Sequence, residues 1–203
     1  MNAVNLTIID NYPLPEGVER NVKRQCMHCL EPACVSACTV GALKRVEPGI
    51  VVCDTSKCIG CRYCQYACPF DVPTFGWDGA LGVISKCDYC QLRLAEGEKT
   101  ACTSACPTGA LKGGTREEMS AEAHARIRAN PERYIDHVYG EHEVGGTARV
   151  YISDVPFEEV GFKALPVQRV AQYTVPFIKR TPDIALGIAT VATGLFSLLG
   201  RHA

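Results

Sequence analysis

Apolar and polar positions divide the chain into stretches of different character. Residues 184–200 (IALGIATVATGLFSLLG) form a run of 17 without a charge, flanked by Lys179-Arg180 and by Arg201. As a helix this run is about 26 Å long, close to the hydrocarbon thickness of a bilayer. It shows no polar face at helical spacing. Ala185, Ala189, Thr193 and Ser197 make a small-residue row at i, i+4 that suits packing on another membrane helix. The run predicts one transmembrane helix. Upstream, Thr115 and Glu118 form a capping-box pattern, which predicts a helix over 116–129 closed by Asn130-Pro131. Residues 148–153 (ARVYIS) alternate as a short strand does. The first 25 residues, with Pro13, Pro15 and Gly17, read as an extended lead-in. From 26 to 106 the chain is punctuated by Pro and Gly, which predicts loops, one-turn helices and short strands. Such a region buries little apolar surface and needs a bound cofactor to hold it.

That middle region carries all 13 cysteines. An internal repeat lies within it: CVSACTVGALK at 34–44 and CTSACPTGALK at 102–112 differ only at 35, 39 and 40 of the first copy. A duplicated C-x3-C unit marks a modular ligand site. Three four-cysteine groups can be written: Cys26, Cys29, Cys34, Cys38; Cys58, Cys61, Cys64, Cys68; and Cys87, Cys90, Cys102, Cys106. The second, C-x2-C-x2-C-x3-C-P, has the spacing that holds [4Fe–4S] clusters in bacterial ferredoxins. Thiolates two residues apart let one tight loop wrap three corners of a cube, and the fourth cysteine begins a short helix and ligates the neighbouring cluster. Pro69 fixes the backbone angle after it and removes an N–H. Zinc sites more often offer two cysteine pairs about 12 to 20 residues apart. Ile59, Tyr63, Tyr66, Phe70 and Val72 are placed to shield clusters from water, and His28 inside the first loop could tune one. Cys53, outside all three groups, reads as a small hydrophobe.

Composition narrows the rest. With 21 Lys+Arg against 22 Asp+Glu, the formal net charge of -1 argues against nucleic acid as a partner. An odd cysteine count leaves a thiol over in any complete disulfide framework. The N-terminus shows no signal-peptide pattern and no twin-arginine pair. The five histidines are scattered and no Gly-rich phosphate loop follows a strand, so no catalytic residue is assigned.

The motif order resembles the iron–sulfur subunits of membrane-bound respiratory oxidoreductases, such as the ferredoxin-like subunit of periplasmic uptake hydrogenase and the beta subunit of respiratory formate dehydrogenase. The motifs are QCMHC at 25–29, GCRYCQYACPF at 60–70, KCDYC at 86–90 and ACPTGAL at 105–111, followed by GGTREE at 113–118, YGEHEVGGT at 139–147 and YISDVPFEEVGF at 151–162. The resemblance implies crossed ligation: Cys26, Cys29, Cys34 and Cys68 on one cluster, and Cys38, Cys58, Cys61 and Cys64 on its partner. In such subunits the third group is completed by a further four-cysteine motif near the N-terminus. This sequence has none, which leaves Cys87, Cys90 and Cys102 short of a fourth ligand and Cys106 without a cluster.

The expected fold is an α+β, duplicated ferredoxin-like domain over 1–114, a helix and strand extension over 115–175 and a membrane anchor over 176–203. The expected function is electron transfer between a catalytic subunit and an integral membrane cytochrome b or quinone-reactive subunit. The chain itself has no catalytic centre, carries two complete [4Fe–4S] clusters and an incomplete third, and is held in membrane lipid by a single pass. The resemblance implies a periplasmic cluster domain. A soluble, diffusible polyferredoxin-type carrier is the rival reading; such a carrier needs neither the long tail nor the apolar run.

Overall fold

Three two-stranded antiparallel ribbons and several one-turn helices build the cysteine-rich region in a computed structural model, which describes residues 1–77, 82–172 and 174–199. Strand β1 (Ile8–Pro13) pairs with β2 (Glu19–Arg24), Ile8 opposite Arg24 and Pro13 opposite Glu19. The lead-in expected to be merely extended is therefore a hairpin, and its turn closes with Leu14 N–H donating to Val18 O at 2.7 Å. Strand β3 (Leu43–Val46) pairs with β4 (Ile50–Cys53), and β5 (Thr74–Gly76) with β6 (Val83–Ser85). Along the chain α1 (Ala33–Ser36) and α2 (Tyr63–Tyr66) fall between these ribbons, and α3 (Gln91–Ala95) and α4 (Ala101–Ser104) follow the third. The two copies of the repeat each set a C-x3-C across one short helix, Cys34 and Cys38 across α1 and Cys102 and Cys106 across α4. Only the first copy runs on into a strand, at Leu43.

Helix α5 (Arg116–Ala129) forms where its capping box predicts. Thr115 Oγ1 accepts from Glu118 N–H at 3.2 Å and the Glu118 carboxylate accepts from Thr115 N–H at 2.9 Å. Such a cap is worth about 0.5–2 kcal/mol. The buried face of α5, Ala123 and Ile127, packs with Val138. The strand expected over 148–153 does not form. Ala148 N–H is taken by His28 O, while Tyr151 makes one isolated bridge with Tyr139. Neighbouring backbone groups thus go to different partners and no ladder can extend.

An aromatic core of Tyr139, Phe157 and Phe162 closes on Met27 and Val160, with Tyr12, Phe70 and Tyr151 against it. Met27 sits inside the first cysteine loop, so this core also positions that loop. The segment after α5 clamps the first hairpin: Arg20 pairs with Asp154, Arg24 donates to Gly161 O, and Tyr151 OH donates to Lys23 O at 3.0 Å. The chain resolves into two compact units, Met1–Val170 and Ala171–Ala203.

The second unit carries α6 (Thr174–Leu199). Among the described residues no helix is long and apolar enough to cross a membrane, so the transmembrane pass expected over 184–200 is left without support. Pro182 lies inside α6 and Asp183 follows it, so the uncharged part starts only at Ile184. Gly187, Gly194, Thr190, Thr193 and Ser197 dilute its apolar character further. Thr190 and Thr193 turn their hydroxyls back onto Gly187 O and Ala189 O, each at 2.8 Å. Gly200, Arg201 and His202 lie outside the described residues.

Candidate iron–sulfur sites

Three of the four C-x2-C loops bend through a left-handed residue just before their second cysteine, His28 (φ 48°), Gly60 (φ 69°) and Tyr89 (φ 63°), whereas between Cys61 and Cys64 the left-handed residue is Arg62 (φ 63°). This turn folds the loop back so that both thiols face one side. At Gly60 the fit is tightest, because a Cβ there would meet Gly82 O at 2.5 Å. Gly60→Ala is expected to remove about four iron atoms per chain by displacing Cys58 and Cys61. Iron analysis checks this, and unchanged content would show that the loop has room.

The structure brings Cys26, Cys29, Cys34 and Cys68 together. Burial pushes the Cys29 thiol well up, and Cys26, Cys68 and Cys34 raise it further. Burial also pushes Cys34 up to about 12, with Cys26 and Cys68 again adding to the rise. Cys26 and Cys68 are raised by burial as well; for Cys68 the N–H groups of Val72, Phe70 and Asp71 oppose it. Cys26 and Cys68 share a small core with Val72 and Cys87.

A second set stands next to it. Cys38, Cys58, Cys61 and Cys64 line a small pocket whose other walls include Val40, Leu43, Ile59, Phe75 and Ile84. Burial pushes Cys64 up to about 11, and Cys58, Cys61 and Cys38 add to the rise. Ala42 N–H donates to Cys38 Sγ at 3.2 Å. Cys61 is exposed, so this set has one corner open to solvent. Cys34 and Cys38 leave opposite ends of α1, one toward each set. Cys53, at the end of β4, packs beside Cys38 and Cys58 in the apolar core of this site.

The third group is only partly gathered. Cys87 and Cys102 share the neighbours Lys23 and Arg149. Burial opposes ionisation of Cys102, yet Thr100, Lys23 and Arg149 together bring its thiol below the usual value. Ala101 N–H donates to Cys90 Sγ at 3.4 Å. Cys106 has its own surroundings: Thr108 and the N–H of Leu111 bring it down to about 7.

All 13 cysteines are free thiols. Four thiols crowded into an apolar pocket resist ionisation, and metal cations are what reverses that balance. Among the described residues, no three His, Cys, Asp or Glu side chains converge as ligands of a single ion do. The thiols of the second set instead surround a space, and an all-thiolate donor set suits a [4Fe–4S] cluster.

Several sequence expectations need correction here. Tyr66 is 86% exposed and Tyr63 is also on the surface, whereas Ile59, though half exposed, lines the second set, Phe70 packs half-buried against Cys26 and Cys87, and Val72 is buried. Short helix α2 turns its tyrosines outward because Cys64 takes its inner face. His28, inside the first loop, is fully buried. Its Nδ1 accepts from Val51 N–H at 3.0 Å, and burial, then Lys86 and Arg149, pull it down to about 2. Sequence reading missed the cations Lys23, Lys86 and Arg149, whose only early signal was Lys86 opening the KCDYC motif.

Residues 20–116 match the model of the 4Fe-4S dicluster domain family. A protein of Nitratidesulfovibrio vulgaris (strain Hildenborough) is 44% identical over 98% of this chain and 55% of its own. The hydrogenase-2 operon protein HybA of Escherichia coli O157:H7 is 38% identical over 71% of this chain and 52% of its own. The formate dehydrogenase-O iron-sulfur subunit of Escherichia coli K12 is 35% identical over 88% and 61%. The chain thus spans between about half and three fifths of the length of these curated relatives. Residues 20–116, folded around two adjoining four-thiol sites, thus carry a 4Fe-4S dicluster domain.

Proposed function

We propose that this chain is the electron-transfer subunit of a membrane-associated oxidoreductase of the hydrogenase or formate dehydrogenase type. In this reading it takes electrons from a catalytic subunit and passes them to an integral membrane cytochrome b or quinone-reactive subunit. The observation that carries it is the pair of four-thiol sets sharing α1. Cys26, Cys29, Cys34 and Cys68 hold one [4Fe–4S] cluster, and Cys38, Cys58, Cys61 and Cys64 hold the other. Such clusters, when bound, supply one-electron redox chemistry. The protein's own part is to enclose and bias them. Val72 and Cys26 close off the first set, Leu43, Ile84 and Phe75 keep water from the second, and Ala42 N–H bonds the Cys38 sulfur. Cys87 and Cys102, beside Lys23 and Arg149, form with Cys90 part of a third, incomplete site. Resemblance to the hydrogenase and formate dehydrogenase subunits favours a periplasmic cluster domain at the cell membrane. The uncharged part of α6 is the segment assigned to contact with the membrane subunit.

Electron paramagnetic resonance of the reconstituted, reduced chain tests the ligation. Cys34→Ser and Cys68→Ser are expected to alter one signal, and Cys38→Ser the signal altered by Cys58→Ser. If Cys34→Ser and Cys38→Ser change one common signal, each group ligates locally and the crossed scheme is wrong. A chain that takes up no iron would remove the electron-transfer reading altogether.

A further inference from the structure

Lys86 is buried immediately before Cys87, and among the described residues no carboxylate pairs with it. Its Nζ donates to Val51 O and, at 3.0 Å, to Cys87 O. These two carbonyls belong to different cores. Val51 packs in the core that holds Cys64, with Cys34, Cys38, Cys53 and Cys58 against it. Cys87 packs with Cys26, with Cys68 against them. The ammonium therefore stands at the seam between the first and second four-thiol sets. Its charge acts on thiols on both sides of that seam, on Cys26 and Cys34 of the first set and on Cys53 beside the second.

Burying an ammonium is costly unless opposite charge compensates it. Two carbonyls satisfy two of its three N–H donors and none of its charge. Lys23 and Arg149 stand beside the third cysteine group and so do not duplicate Lys86. The compensating charge available at the seam is that of the thiolates the two sets present once metal is bound, with Cys87 of the third group beside them.

We propose that Lys86 is the shared counter-charge of the two four-thiolate sites and raises the reduction potential at both. The reasoning is Coulombic. One-electron reduction adds a negative unit at a site, and a fixed positive charge in a low-dielectric seam favours the more negative state. The inference rests on the ligation reading given above. Lys86 touches carbonyl oxygens rather than thiols, so its role is positioning and electrostatic rather than ligation.

The experiment uses the full chain, reconstituted anaerobically, with iron analysis followed by redox titration read by electron paramagnetic resonance. Lys86→Met keeps the length of the side chain and removes the charge. It should retain its iron, while the reduced-to-oxidised ratio at a given potential falls about tenfold, equivalent to about 59 mV. The fall should appear in both signals, those assigned through Cys34→Ser and Cys38→Ser. Lys86→Arg should hold the ratios near those of the unsubstituted chain. Lys86→Gln, which keeps a donor for the carbonyls, is read in the same way if the Met variant fails to fold. Loss of iron in both neutral variants but not in Lys86→Arg also supports a counter-charge. Full iron with unchanged ratios in a neutral variant overturns the proposal, as does loss of iron in all three, which marks a purely structural lysine. If the unsubstituted chain takes up no iron, the ligation reading fails first and is recognised as the cause.

Discussion

Anaerobic reconstitution of the 203-residue chain is expected to yield about eight iron and eight sulfide per chain. Thiolate counting alone gives a higher answer, since the third group has four more cysteines, enough for another cube. Geometry decides against counting. Cys87 and Cys102 meet around Lys23 and Arg149, whereas Cys106 has Thr108 and the N–H groups of Leu111, Thr108 and Ala110 as its neighbours. Bringing Cys106 back would unwind the turn after α4. Cys53 is no substitute, because it packs beside the second set. The third group should hold iron weakly, as a labile or three-iron form. A stable value near twelve would mean that this group closes its own site. Supplying a further four-cysteine motif on the same polypeptide should raise the content towards about sixteen.

Removing the iron with a chelator should melt the ribbons around the sites and spare α5. The strands β3 to β6 are three or four residues long and pair only two by two. Ribbons of that size are marginal in water without a covering layer. Helices of one turn lack the length to stand alone. Their apolar contacts run largely through cysteines: in the core around Val51, five of the participants are Cys34, Cys38, Cys53, Cys58 and Cys64. Metal binding at such a site is folding free energy. By contrast, α5 rests on its capping box and on Ala123, Ile127 and Val138, none of which touches a cysteine. Hydrogen exchange should show amides of β3 to β6 losing protection on chelation while those of α5 keep most of theirs. Unchanged protection in β3 to β6 would show that the protein core alone sustains the region.

Local signals in the sequence were the most legible. The limits of α5 follow from Thr115, Glu118 and Asn130 because capping is a contact among near neighbours. Cysteine spacing gave three local groups; the crossed sets, with Cys34 and Cys68 exchanged between neighbours, came from the family resemblance and not from spacing. Features decided at long range stayed hidden. The hairpin β1–β2 is clamped by Asp154, Gly161 and Tyr151, more than a hundred residues away. The strand expected over 148–153 was lost to His28 O, a partner no alternation pattern can announce. Lys86, Lys23 and Arg149 read as ordinary surface cations until the fold buries them at the sites. The apolar run of α6 overstated its reach, because only 184–199 of it lies in the described helix, short of the about 20 apolar residues that a span needs.

Helix α1 is a single turn with a thiol at each end, Cys34 facing one set and Cys38 the other. One rigid turn cannot be correctly placed for one site and misplaced for its neighbour. Filling the first site therefore pre-orders a corner of the second and lowers the entropy still to be lost there. Under limiting iron, molecules should divide into empty and doubly filled populations, with singly filled ones scarce. Native mass spectrometry would see two peaks and a valley. The same linkage has a cost: oxygen that destroys one site loosens a ligand of the other, so damage should spread along the pair rather than stay where it began.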